Sequence, residues 1–205
     1  MMKRQSEQKG HNKFPEKKAE CEISLNGKLV NLRSTIPSDI PDYERWNNPS
    51  LRVWQFDGPW YSNDDLGHLI EKRKGWLAGE RKRPCGFLEI ETVDGIHIGW
   101  VVAYYHEDDP HLTEIGIDIV DDAYWGRGAG TEALYLWIDY LFREWQLRRV
   151  GFSTWSGNQA IMAIGRKLGF SEECRIRNGC EVDGVSYDRI KMGILRDEWI
   201  GQKMK

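Results

Sequence analysis

A chain of 205 residues, 40 % of them hydrophobic, is long and apolar enough to bury one real core. Its formal net charge of −3 argues against a nucleic-acid binder held by phosphate neutralisation, and no apolar run is long enough to span a bilayer. Four cysteines without a C-x-x-C pair and five scattered histidines offer neither metal-ligand spacing nor a disulfide framework, so no metal is expected and the cysteines read as reduced.

Residues 1–20 are polar and Lys-rich and lack the apolar stretch of a secretory signal. They read as a flexible leader to a single domain over 21–205, in a cytoplasmic protein. Leu29 to Arg33 is a first strand. Ser38 offers an N-cap to a short helix that Asn47-Asn48-Pro49 stops. Arg52 to Ser62 reads as a loop carrying Trp54, Phe56, Trp60 and Tyr61, and Asn63-Asp64-Asp65 can cap a second helix running to about Leu77. Gly86 to Val93 and Ile96 to Tyr105 are strands joined by the turn pair Asp94-Gly95, and Thr113 to Val120 is the next strand.

Thr131 to Trp145 is helical and apolar nearly all round, the pattern of a helix buried on most of its surface. Arg149 to Thr154 is a strand. Asn158 to Leu168 is a helix with Ile161, Ile164 and Leu168 on one stripe, ended by Gly169-Phe170. Two last strands, Glu173 to Val182 and Val185 to Ile194, flank Asp183-Gly184. This order predicts an α/β domain: a mixed, mostly antiparallel central sheet of about seven strands flanked by four helices, with parallel crossovers around the middle helices.

The chemistry concentrates in Ile117 to Thr131, where a strand ends, Gly126, Gly128 and Gly130 alternate, and a helix begins. The first amides of a helix lack intrahelical partners, and its dipole favours an anion there. Glycines without Cβ atoms let a phosphate come close, so the segment predicts a diphosphate cradle. A nucleotide triphosphate loop would need Lys before Thr131, which is absent. A dinucleotide fingerprint needs G-x-G-x-x-G in an early βαβ unit, whereas the spacing here is G-x-G-x-G after three strands. On the loop alone, a glycine-rich helix cap remains open.

Trp125-Gly126-Arg127-Gly128-Ala129-Gly130 resembles the coenzyme loop of the GNAT acetyltransferases, Arg/Gln-x-x-Gly-x-Gly/Ala, with Trp125 in the Arg/Gln position. That departure is shared by the ribosomal-protein alanine acetyltransferase (RimJ/RimL-like) branch. Downstream, Asn158 followed by a helix ending Arg166-Lys167-Leu168-Gly169-Phe170 is similar to the family's second motif, with Arg166 in place of Glu. The resemblance spans roughly Leu29 to Trp199 in element order. It implies the acyl-CoA N-acyltransferase fold and acetyl-CoA as co-substrate. It also implies a coenzyme site from Trp125 to Thr131, with the amides of Arg127 to Thr131 on the diphosphate. Ile119-Val120 would pair with the pantetheine amides, and Asn158 would lie beside that arm. Arg166 could reach coenzyme phosphate, although a solvated helix arginine is the plainer reading.

Acetyl transfer to an amine needs a base for the ammonium and a proton for the leaving thiolate. Strand alternation sets Glu114, Gly116 and Asp118 on one face and Ile115, Ile117 and Ile119 on the other. Glu114 is then the candidate base or amine anchor, against the alternative of an acid on a solvated sheet face. The family's usual acid, a Tyr in the helix after Asn158, aligns with Gly165, which leaves Ser156, Tyr124 or a water to protonate the thiolate. Trp54, Trp60 and Tyr61 fall where the family shapes its acceptor site. Asp57, Asp64 and Asp65 beside them favour a cationic acceptor such as a protein N-terminus, a polyamine or an aminoglycoside. Without an activated nucleophile, direct transfer in a ternary complex is expected. A catalytically inactive acetyl-CoA-binding sensor is the alternative, and a homodimer is compatible with either.

Overall fold

The structure is a computed structural model that describes residues 23–56, 64–80, 86–104 and 112–203, by their backbone alone at 64–66, 79–80 and 202–203. In chain order the strands are β1 (Ser24–Asn26), β2 (Val30–Arg33), β3 (Phe87–Thr92), β4 (His97–Tyr104), β5 (Glu114–Ile119), β6 (Arg149–Trp155), β7 (Ser171–Val182) and β8 (Val185–Leu195). The α-helices are α1 (Ile40–Trp46), α2 (Asp64–Gly75), α3 (Ala129–Glu144), α4 (Gln159–Lys167) and α5 (Arg196–Lys203). All eight strands lie in one sheet in the order β1-β2-β3-β4-β5-β6-β8-β7. Every neighbouring pair is antiparallel except β5 and β6, which are parallel and joined by the crossover helix α3.

Each face of the sheet carries a core. On one, α3 inserts Ala133, Leu134, Trp137, Ile138, Leu141 and Phe142 against Leu32, Leu88, Ile90, Ile98, Val101, Val150 and Phe152. Met162 of α4 and Trp199 of α5 join that layer. On the other face, Tyr43 and Trp46 of α1 and Ile70 of α2 pack on Phe87, Trp100 and Val120. Strand β3 is therefore covered on both sides, and its even and odd residues serve different layers. This second layer also buries a polar network. Glu89, inaccessible to solvent, accepts from the Tyr43 hydroxyl (2.7 Å) and the Thr35 hydroxyl (2.5 Å), and a His97 ring nitrogen lies 3.2 Å away. Arg73, also fully buried, lies 3.6 Å from Glu89 with its guanidinium over Phe87 and Trp76.

The α/β sheet architecture follows the sequence expectation, with one strand and one helix more. Strand β1 is only three residues long, too short for alternation to announce it, and exists through its pairing with β2. Helix α5 continues directly from β8, a change of period that the apolar pattern of the last strand conceals. The first helix starts later than the Ser38 cap suggests: Pro37–Asp39 form a 3-10 turn, and Asp39 is the N-cap of α1, its carboxylate accepting the Ile36 N–H (2.8 Å) instead of a helix amide. Arg52–Gln55 is also a 3-10 turn rather than plain loop. Helix α2 gives way at Gly75 to a wider turn over Trp76–Glu80, and α3 begins at Ala129, inside the glycine motif.

Candidate active site

The parallel strands β5 and β6 meet at one residue pair, Glu114 with Gly151, where the Gly151 N–H donates to the Thr113 carbonyl (3.1 Å). Beyond it they diverge, because each belongs to a different ladder. β5 is held to β4 from Tyr104↔Glu114 to Gly99↔Ile119, and β6 is held to β8 from Arg149↔Leu195 to Trp155↔Arg189. The sheet thus opens into a V with Glu114 at its apex. Antiparallel pairing turns alternate residues of β5 toward β4, and the Val120 N–H donates to Ile98 (2.9 Å) in that series. The backbone groups of Ile117 and Ile119 therefore face the opening. Val120 has its N–H committed to β4 and its side chain buried in the second core, so Ile117 takes its place beside Ile119.

The glycine segment forms the far end of the V. Asp121 caps a 3-10 turn over Asp122–Tyr124 by accepting the Ala123 N–H (2.9 Å). Gly126 (φ +71°) and Gly128 (φ +94°) then take left-handed conformations that strain any residue with a Cβ. Gly128 is the N-cap of α3 and carries no side chain to cap it, so the first amides of the helix lack a side-chain partner at that position. A Cβ on Gly126 would meet nothing within 4 Å, and one on Gly128 only the Leu29 side chain at 3.2 Å. The loop is open on that side.

Glu132, in the first turn of α3, fastens the β1–β2 turn beside the loop. Its carboxylate accepts the backbone N–H groups of Lys28 (2.9 Å), Leu29 (2.6 Å) and Val30 (3.0 Å). Burial disfavours its charge, but the three N–H donors outweigh burial and hold its pKa below the ordinary carboxylate value.

A short segment ties the two arms of the V together. The Trp125 indole N–H donates to the Ile119 carbonyl (2.7 Å), and Phe56 meets the Trp125 ring edge-on at 5.6 Å. Arg52 lies 5.3 Å above the same ring and bonds Asp122 (2.9 Å). On the β6 side, the Phe56 carbonyl accepts from the Trp155 indole (3.0 Å) and from the Asn158 amide (3.3 Å). The Asn158 side-chain oxygen meanwhile caps α4 through the Ile161 N–H.

At the apex, Glu114 Oε1 accepts from the Ser153 hydroxyl (3.0 Å) and from Lys191 Nζ (3.2 Å). Gly116, next along this face, lies under the Tyr104 ring, whose hydroxyl would sit 3.4 Å from a Cβ there. The other acid candidates are elsewhere. The Ser156 hydroxyl oxygen accepts the Asp188 N–H (3.0 Å), five residues along β6 from the apex pair, about 16 Å at strand rise. Tyr124, past the other end of β5, packs half-buried against the main core. Gly165 faces the sheet so closely that a Cβ would lie 2.7 Å from the Phe152 ring, which leaves no room for a tyrosine in this packing. Arg166 is exposed near the end of α4. Trp54 stacks 6.5 Å from Trp100 and donates its indole N–H to Asn48 (3.0 Å). Trp60 and Tyr61, with Asp57, lie outside the described residues, as do the side chains of Asp64 and Asp65.

The family profile described as acetyltransferase (GNAT) domain matches residues 30–171, which include the V, the glycine loop and α4. The chain belongs to the GNAT family. That family comprises acetyl-CoA-dependent N-acetyltransferases. One relative, YdaF of Bacillus subtilis strain 168, is a candidate ribosomal N-acetyltransferase, 32 % identical over 119 residues. The match covers 58 % of this chain and 57 % of YdaF, so the chain aligns with little more than half of that relative. Among solved structures, RimL, a ribosomal L7/L12 α-N-protein acetyltransferase in complex with coenzyme A, superposes with a TM-score of 0.67 at 17 % identity, over 86 % of this chain and 99 % of its own. Spermidine N-acetyltransferase from Vibrio cholerae, in complex with CoA and spermine, gives 0.65 at 19 % identity, over 85 % and 99 %. At such identities these structures establish the shared fold. YdaF, by its ribosomal description, agrees with the RimJ/RimL-like branch expected from the sequence.

Sequence reasoning did not reach Tyr104, Ser153 or Lys191, which surround Glu114 from three other strands. No local motif marks them. The available signal was the pairing of β5 with β6 and of β6 with β8, which sets Ser153 beside Lys191, and strand register is not written within any one strand.

Proposed function

We propose that this chain moves the acetyl group of acetyl-CoA directly to a primary amine held with it in one complex. The observation that carries the reading is the V between β5 and β6, with an open glycine loop at one end and Glu114 at the other. A diphosphate on the amides of Arg127 to Thr131 suits the helix terminus. A pantetheine arm running along the V would find the backbone of Ile117 and the N–H of Ile119, with Trp125 and Asn158 as walls, and would deliver its thioester toward the apex. Glu114 there takes a proton from the acceptor ammonium, with Ser153 orienting the carboxylate. The acceptor comes from the α1–α2 side, where Trp54 and Trp100 stack. A protein N-terminus or a polyamine is the acceptor class we favour, in line with the ribosomal and spermidine acetyltransferases among the relatives. The location we assign, on the sequence, is cytoplasmic; no described helix is long and apolar enough to cross a membrane.

One observation favours a second reading, a coenzyme-binding sensor: the packing of Gly165 on Phe152 excludes the family's usual acid. A thermal-shift titration with acetyl-CoA followed by turnover on a panel of N-terminal peptides and polyamines separates the two. Stabilisation with turnover supports the transferase; stabilisation with none across the panel supports the sensor; no stabilisation overturns both.

A further inference from the structure

Lys191 stands on β8 directly opposite Ser153 of β6, and its ammonium reaches across to lie 3.2 Å from Glu114 Oε1. The neighbouring carboxylate on β7, Glu173, is held in a two-pronged pair by Arg149, so Glu114 is the partner that Lys191 meets in a hydrogen bond. The lysine side chain is 57 % exposed, and a surface pair of this kind adds little stability. Its position is the informative feature. An amine within hydrogen-bond distance of a carboxylate, at the apex of the cleft, has the geometry that an incoming acceptor must adopt.

We propose that Lys191 is an internal acceptor, acetylated on Nζ by the protein's own acetyl-CoA when no other amine occupies the apex. The inference rests on the transferase reading above. Glu114 takes one proton from the Lys191 ammonium, and the freed nitrogen lone pair attacks the thioester carbonyl carbon. A C–N bond forms, the C–S bond breaks, and the electron pair leaves on the thiolate. The nitrogen gives up a second proton, which ends on the coenzyme thiol, and Glu114 returns the first to solvent. The product is a neutral amide that keeps one N–H. With that charge gone, Glu114 loses its ion pair and its carboxylate is open to an external ammonium, so the modification primes the acceptor site.

Lys74 supplies an internal control, because its Nζ also lies 3.2 Å from a glutamate, Glu71, but on α2 and away from the V. The full chain is incubated with isotope-labelled acetyl-CoA without added amine, and label at both lysines is followed by peptide mass spectrometry. Lys191 should be labelled at least about 100-fold faster than Lys74, the lower end of what a positioned base contributes. Glu114→Gln should bring it down to the Lys74 rate, and Lys191→Arg should remove the labelled peptide while acetyl-CoA still raises Tm. Equal rates at Lys191 and Lys74 in wild type, with Tm raised by acetyl-CoA, overturn the internal acceptor and leave the transferase reading standing. No shift of Tm and no selective label overturn both.

Discussion

Glu114 and His97 show how differently two charged side chains of one sheet are set. Glu114 is partly exposed between a hydroxyl and an ammonium, and both partners can give way to an incoming amine. Glu114→Gln keeps the shape and the Ser153 contact but removes the basic oxygen. It should lower kcat/KM by about 10²–10⁴-fold while coenzyme affinity stays at the wild-type value. Calorimetric titration beside steady-state rates tests the split, and wild-type turnover across pH would show that the base lies elsewhere. His97 has no such freedom. Burial opposes its charge, yet Glu89, Asp39 and Asp42 around its two nitrogens outweigh burial and raise its pKa above the usual value. Arg33 bonds Asp39, while Arg73 and the Tyr43 hydroxyl face Glu89 from the other side. A raised folded pKa means stability that is fully present below the unfolded value near ~6.5 and lost as pH rises through the folded one. Tm measured from pH 6 upward should therefore fall in that window, and His97→Gln should flatten the dependence.

At the scale of elements, what a single segment encodes was legible and what two distant segments share was not. Helix α3 declares itself by being apolar nearly all round, and the β3–β4 hairpin by Asp94-Gly95 between alternating strands. The glycine loop was legible because backbone conformation is a local demand, met at Gly126 and Gly128 by left-handed φ values. The vacancy at the usual tyrosine position was also visible as Gly165, but its cause, the Phe152 ring beneath it, depends on how α4 packs on β6. Buried Glu89 was missed for the same reason. It sits in a strand whose alternation suggests a solvent face, and α1 and α2 cover that face. The loop yields a direct test. Gly128→Val forces a β-branched side chain into a left-handed conformation, a strain of about 1–3 kcal/mol. It also adds bulk to the side on which a diphosphate would approach. Acetyl-CoA affinity should collapse while the circular dichroism spectrum is retained; unchanged affinity in the folded variant would contradict the coenzyme assignment.

For the whole molecule, the sheet works as two ladders hinged at one pair, with β1 to β5 on one side of Glu114↔Gly151 and β6, β8 and β7 on the other. On the function proposed above such a frame would hold two substrates in one groove, and orientation alone can contribute about 7–11 kcal/mol toward a bimolecular step. A covalent route would need an activated thiolate. The two described cysteines, Cys174 and Cys180, both lie on β7 at the far edge of the sheet, three strands away from β5. Neither reaches the V, so the acetyl group should pass from thioester to amine without a cysteine intermediate. Initial rates with both substrates varied should then give intersecting double-reciprocal lines. The amide expected at Lys191 does not alter this outcome, because an amide is stable and does not pass its acetyl group on. Parallel lines, together with a hydroxylamine-labile acetyl group on the protein that chases into the acceptor, would overturn direct transfer and turn attention to the four cysteines as carriers.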